Sequence, residues 1–129
     1  MTRYKAIPYQ VNVPESLEAF KNWTFSSGGT TGIDFKRFAQ LFRNHIKKHL
    51  PENAKLVNFS KGHYYVSGFI EKNGNYIYFS VSDVRFFPNE WNQQILIRTA
   101  EHEKDYTGGS NEYTTLEQFK ENVSKLLTS

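Results

Sequence analysis

Hydrophobic residues change their period along this chain, and the changes mark its elements. From Asp34 to Leu50 the apolar positions are Phe35, Phe38, Ala39, Phe42, Ile46 and Leu50, at three- and four-residue spacing. Lys36, Arg37, Gln40, Arg43, Asn44, Lys47 and Lys48 fill the opposite arc. That pattern predicts an amphipathic helix, capped by Asp34, stapled by Ile33 and Phe38, and ended by Pro51. A strand is predicted over about Lys55 to Phe59. The next two runs alternate on either side of Asn73-Gly74, a dipeptide that favours a two-residue type I′ hairpin turn. Counting back from the turn pairs Lys72 with Asn75, Ile70 with Ile77, Phe69 with Tyr78, Gly68 with Phe79 and Val66 with Val81. Val66, Ile70, Ile77, Phe79 and Val81 then share one face, suited to a core under the basic helix. His63, Tyr65, Ser67, Phe69, Tyr76, Tyr78 and Ser80 share the other.

The remaining segments are read more coarsely. Residues 1–13 look extended, and a short helix follows, with Asn12 as cap, Pro14 and Glu15 in its first turn, and Leu17, Phe20 and Trp23 on its apolar side. Ser26 to Gly32 reads as a flexible Gly/Ser/Thr loop. A fourth strand is predicted over Gln94 to Thr99, then a polar loop from Ala100 to Tyr113. A last helix starts at Thr114, with Glu117 completing a capping box, and buries Leu116, Phe119, Val123, Leu126 and Leu127. The expected architecture is one α+β domain. It has an antiparallel sheet of about four strands, with a basic helix and a C-terminal helix packed on it. Residues 1–32 form an N-terminal extended segment, short helix and loop, and residues 33–129 form the α+β core.

Composition narrows the function classes. The 129 residues suffice for one domain. With 38% hydrophobic and 22% charged residues the chain is globular in character. Aromatic content of 16% favours an aromatic-rich core or a binding surface. There is no Cys, which rules out disulfides and thiolate metal sites. No apolar leader or run of membrane-spanning length is present, so a cytoplasmic protein is expected. The net charge of +3 permits nucleic acid or an acidic partner and argues against a DNA mimic.

Four features bear on chemistry. The basic arc of Lys36, Arg37, Arg43, Lys47 and Lys48 suits phosphates or an acidic protein groove, against the plainer reading of a solvated helix face. Tyr65, Phe69 and Tyr78 suit base stacking, against burial under the N-terminal segment or the last helix. The Arg/Lys-Gly-aromatic motif of RNA-binding sheets is absent. His45 and His49 stand at i and i+4, but two ligands without an acidic third do not close a metal site. Asp83, Arg85, Arg98, His102 and Asp105 would form an acid–base cluster if they converged, and a phosphodiester hydrolase would centre on His102 and Asp105. A salt-bridged turn around Gly108-Gly109 accounts for the same residues. Neither Gly28-Gly29 nor Gly108-Gly109 is followed by the Gly-Lys-Ser/Thr of a phosphate loop. No metal or other cofactor is expected.

Ser60-Lys61-Gly62-His63-Tyr64-Tyr65-Val66-Ser67-Gly68-Phe69, Asp83-Val84-Arg85, Ile97-Arg98-Thr99-Ala100 and Asp105-Tyr106-Thr107-Gly108-Gly109-Ser110-Asn111 together carry a resemblance. Over about residues 34–128 the pattern resembles small accessory proteins of phages, plasmids and conjugative elements of Gram-positive bacteria, a setting that includes anti-CRISPR proteins. The resemblance implies a non-enzymatic, stoichiometric binder in the host cytoplasm. Its implied partner is a host protein, a Cas9-type CRISPR effector nuclease with its guide RNA. It assigns no role to any residue. The alternative from the residues alone is a small nucleic-acid-binding module using the basic helix with Tyr65, Phe69 and Tyr78. An exposed aromatic face would equally suit a homodimer interface.

Overall fold

The computed structural model describes residues 16–20, 31–62, 65–82, 91–107 and 110–128. Within them the order of elements is α1 (Leu17–Phe20), α2 (Thr31–Lys48), β1 (Lys55–Lys61), β2 (Tyr65–Lys72), β3 (Asn75–Ser82), β4 (Ile95–Ala100), β5 (Glu112–Thr114) and α3 (Phe119–Thr128). The strands form one antiparallel sheet in the order β1-β2-β3-β4-β5. The fold is α+β, as its sequence pattern predicts. The fifth strand takes Glu112 and Tyr113 from the expected polar loop and Thr114 from the expected helix start. Three residues are too few to show a period of two, and β5 forms because β4 offers it a free edge.

The β2–β3 hairpin has the register that Asn73-Gly74 predicts, from Tyr65 opposite Ser82 to Lys72 opposite Asn75. Both turn residues take positive φ, 53° at Asn73 and 86° at Gly74, as a type I′ turn requires. The Gly74 amide donates to the Glu71 carboxylate at 2.9 Å, which closes the turn.

Pairing of β1 with β2 slips between Val57 and Ser60. Asn58 and Phe59 stand there against Gly68 alone, and Asn58 adopts φ 50°. This is a β-bulge whose left-handed position is held by Asn, a side chain that tolerates it. Without the extra residue Phe59 would oppose Ser67 on the far face. With it, Phe59 joins the core at 6.4 Å from the Phe79 ring.

The helices pack on one face of the sheet. Phe79 contacts a ring from each neighbouring element: Phe42 of α2 at 6.0 Å, Phe119 of α3 at 5.6 Å edge-on, and Phe59 of β1. The chain of rings continues through Phe38 to Phe20 and Trp91. The Trp91 indole N–H donates to the Phe20 carbonyl at 3.4 Å, tying α1 to the turn that precedes β4. Every apolar residue proposed for the core face of the hairpin is buried, as are Phe35, Phe38, Ala39, Phe42 and Ile46 of α2. Leu50 and Leu126 are only partly buried.

Three helix boundaries differ from expectation. α2 begins at Thr31, so Asp34 lies in its first turn and Thr31-Gly32 belong to the helix. α3 begins at Phe119, and Thr115, not Thr114, accepts from the Gln118 amide, at 3.0 Å. Thr114 is drawn into β5, where its hydroxyl accepts from the Asn122 side chain at 2.7 Å. At α1 the cap is Ser16, accepting from the Ala19 amide at 3.2 Å. Asn12, Pro14, Glu15, Trp23 and residues 26–30 lie outside the described residues.

A Cβ at Gly68 would stand 2.9 Å from the tip of the Phe79 ring and 3.3 Å from Phe59. Gly68→Ala therefore overpacks the centre of the core, a cost of about 1–3 kcal/mol. That exceeds the gain of roughly 0.5–1 kcal/mol from a stiffer strand. Denaturant unfolding should show a net loss of stability. Phe42→Ala should lose about 3–5 kcal/mol in the same assay, much of the stability of a domain this size.

Candidate functional site

The sheet face away from the helices carries two rows of side chains. One row crosses four strands as Val57, Phe69, Tyr78 and Arg98. The other crosses all five as Ser60, Ser67, Ser80, Leu96 and Tyr113. Tyr65 lies one row beyond, opposite Ser82.

The first row is roofed by the segment from Glu101 to Thr107. Tyr106 sets its ring edge-on to Phe69 at 5.4 Å and to Tyr78 at 5.8 Å. Arg98 lies under this segment, 3% exposed, with its guanidinium 4.5 Å from the Tyr78 ring centre. It donates to the Asp105 carbonyl at 2.7 Å and to the Thr99 carbonyl at 3.2 Å. A buried guanidinium is tolerable when carbonyls and an aromatic face replace its water. From the other edge, the Asn58 side-chain amide donates to the Glu103 carbonyl at 2.6 Å and to the Tyr106 hydroxyl at 3.0 Å. The bulge in β1 thus fixes the segment from one side and Arg98 from the other.

Burial of Phe69 corrects the expectation that it is open to a partner. The ring is fully buried, with Tyr106 set against it, and the N-terminal segment, one of the expected covers, lies outside the described residues. Tyr78 is half-buried between Phe69, Arg98 and Tyr106. Tyr65 is 43% exposed. Sequence reasoning missed Tyr106 and Tyr113, which are 52% and 62% exposed. Tyr65, Tyr106 and Tyr113 are the exposed large hydrophobic residues among those described, and all three stand on this side of the sheet. Between them lie Ser60, which is exposed, and the half-buried Ser80 and Leu96, while Ser67 is buried. Charges here are of mixed sign: Lys55 pairs with Glu71 at 3.6 Å, and Lys104 stands among Glu101, Glu103 and Asp105.

The basic helix lies on the opposite side, its apolar face on Phe79. Lys36, Arg43, Lys47 and Lys48 are exposed and Arg37 is half-buried. The sheet therefore stands between this helix and Tyr65, Phe69 and Tyr78.

His102 and Asp105 meet in the roofing segment, but as turn-forming groups. One Asp105 carboxylate oxygen accepts from the Glu101 amide at 2.9 Å and the other from the Thr107 amide at 3.2 Å. His102 Nδ1 accepts from the Lys104 amide at 3.1 Å. Asp83 and Arg85 lie outside the described residues. His45 and His49 stack at 4.2 Å, and His49 Nδ1 donates to the His45 carbonyl at 2.9 Å. They line a cleft of about 270 Å³ with Leu116, Glu117, Phe119 and Lys120, where the ammonium disfavours a cation. Among the described residues no three His, Asp or Glu side chains are placed to share a metal ion. No helix among them is long and apolar enough to cross a membrane.

No protein-family model matches the chain, and no curated protein or solved structure is detectably similar to it. The functional reading therefore rests on geometry.

Removing Arg98 should release the segment it holds. Arg98→Ala deletes two charge-assisted hydrogen bonds, worth about 1.5–3 kcal/mol each when buried. Limited proteolysis should then cut between Glu101 and Thr107 in the variant and spare this segment in the native protein. Asn58→Ala should do the same to a smaller degree.

Proposed function

We propose that the protein is a non-enzymatic binding module that recognises another protein through the outer face of its sheet. The observation that supports this reading is the gathering of Tyr65, Tyr106 and Tyr113 on one side, around small hydroxyl side chains. Tyrosine offers a large contact area with few torsions to freeze, and serine adapts its hydrogen bonding; protein-recognition surfaces use this pairing widely. Tyr106 in particular is held ready by Asn58, Phe69 and Tyr78, so binding would not have to order it. The mixed local charge suits a protein surface better than a phosphate track.

The partner we propose is a host defence nuclease, a CRISPR effector of the Cas9 type, inhibited by stoichiometric occupation of a working surface. This rests on the resemblance to mobile-element accessory proteins. Inhibition by binding fits the turn-forming use of His102 and Asp105. A homodimer through the tyrosine face is the competing occupant.

Three measurements test the reading. Tagged protein should capture one host protein from a Gram-positive lysate containing a type II CRISPR system, and capture should survive nuclease treatment. The purified, guide-loaded effector should lose cleavage activity at equimolar inhibitor. Tyr65→Ala with Tyr113→Ala should weaken that complex at least tenfold, the loss of about 1.4 kcal/mol that truncated aromatic anchors commonly exceed. Concentration-dependent dimerisation abolished by the same pair would replace the heterologous partner with a second copy of the chain. Loss of capture on nuclease treatment would refute the protein-binding reading.

A further inference from the structure

The exposed face of α2 is a second surface, and its charge pattern asks for a different ligand. At about 100° per residue, Lys36, Gln40, Arg43 and Lys47 fall within about 60° of one another and form one stripe along the helix. Asn44 and Lys48 widen it to about 140°. All six side chains are exposed. The sole acidic residue in Thr31–Lys48 is Asp34, which helical spacing places off this stripe.

Solubility alone does not account for this. Solvated helix faces gain from opposite charges at i and i+4, whereas Arg43 and Lys47 repel at that spacing. The helix dipole accounts for Lys47 and Lys48 in the last turn, but not for Lys36 or Arg43 further back. Among the described residues none of Lys36, Arg43, Lys47 and Lys48 forms an ion pair. The apolar face of α2 is committed to Phe20, Phe79 and Trp91, so the helix cannot lay that face into a lipid surface.

A straight cationic stripe fits a straight polyanion. Lys36 to Lys47 spans about 16 Å of helix axis, and a nucleic-acid duplex carries a phosphate charge every ~1.7 Å of its own axis. Gln40 and Asn44 within the stripe add hydrogen bonds to phosphate or sugar oxygens without adding charge. We infer that this face of α2 is a sequence-independent site for double-stranded nucleic acid, in which Lys36, Arg43 and Lys47 contact backbone phosphates and Lys48 flanks them. The site lies across the sheet from the tyrosine face, so both can be filled at once.

Fluorescence anisotropy of the full chain with DNA and RNA duplexes of about 20 base pairs tests this directly. Affinity should fall with salt along a log–log slope of about −3, close to −0.9 per neutralised phosphate. Arg43→Gln should reduce the slope by about one, and the triple variant Lys36→Gln/Arg43→Gln/Lys47→Gln should lose at least tenfold in affinity. Binding of one duplex type over the other would identify its source. The substituted side chains are exposed, and an unchanged circular dichroism spectrum verifies the fold. Tyr65→Ala with Tyr113→Ala should leave duplex binding intact, which separates this site from the proposed protein-binding face. Equal binding by the native and triple-variant proteins would overturn the assignment. So would attraction to anionic vesicles or to an acidic polypeptide without attraction to either duplex.

Discussion

The ring of Phe79 lying on the bare backbone of Gly68 is the contact from which the rest of the structure follows. A side chain at Gly68 would lift that ring. Because the ring lies low, Phe42, Phe59 and Phe119 reach it from three different elements. Two helices and an edge strand are therefore located by one side chain. Aromatic rings suit this role because each edge-on contact has a preferred direction as well as an attraction. Among the described residues the phenylalanines belong largely to this core, and the tyrosines do not.

Phe59 reaches the hub only through the bulge at Asn58. The same backbone irregularity has a consequence on the far face, where the Asn58 side chain holds the Glu101–Thr107 segment. One inserted residue couples core packing to the shape of the outer surface. Arg98 makes the corresponding link from β4, with its charge turned inward to carbonyls and a tyrosine ring. Segment, bulge and arginine together cover most of the aromatic row, and among the described residues three tyrosines protrude from this side. The edges are managed as well: β1 is bulged and β5 is short, both poor templates for further strand pairing.

The two faces differ in the forces they offer. The sheet side presents aromatic area and hydroxyls with mixed charge, and the exposed stripe of α2 presents cations. The sheet, one layer thick, keeps these apart.

The elements legible in the sequence were those governed by short-range rules. Asn73-Gly74 determined the hairpin register because positive φ at two adjacent positions has few other solutions. The helical spacing of Phe35 to Ile46 determined α2 and placed its cations on one arc. The spacing of Phe119, Val123 and Leu127 did the same for α3. The tertiary structure decided what lies far apart in the chain. Tyr106 covers Phe69 across 37 residues, Asn58 reaches Glu103 across 45, and β5 forms only because β4 has an unpaired edge. The transfer of the α3 cap to Thr115 depended in the same way on the pairing of Thr114 with Ile95 in the sheet. Local pattern carries the period of an element, but which side chains a distant segment will cover depends on loop closure and packing, and those energies are set by the whole fold.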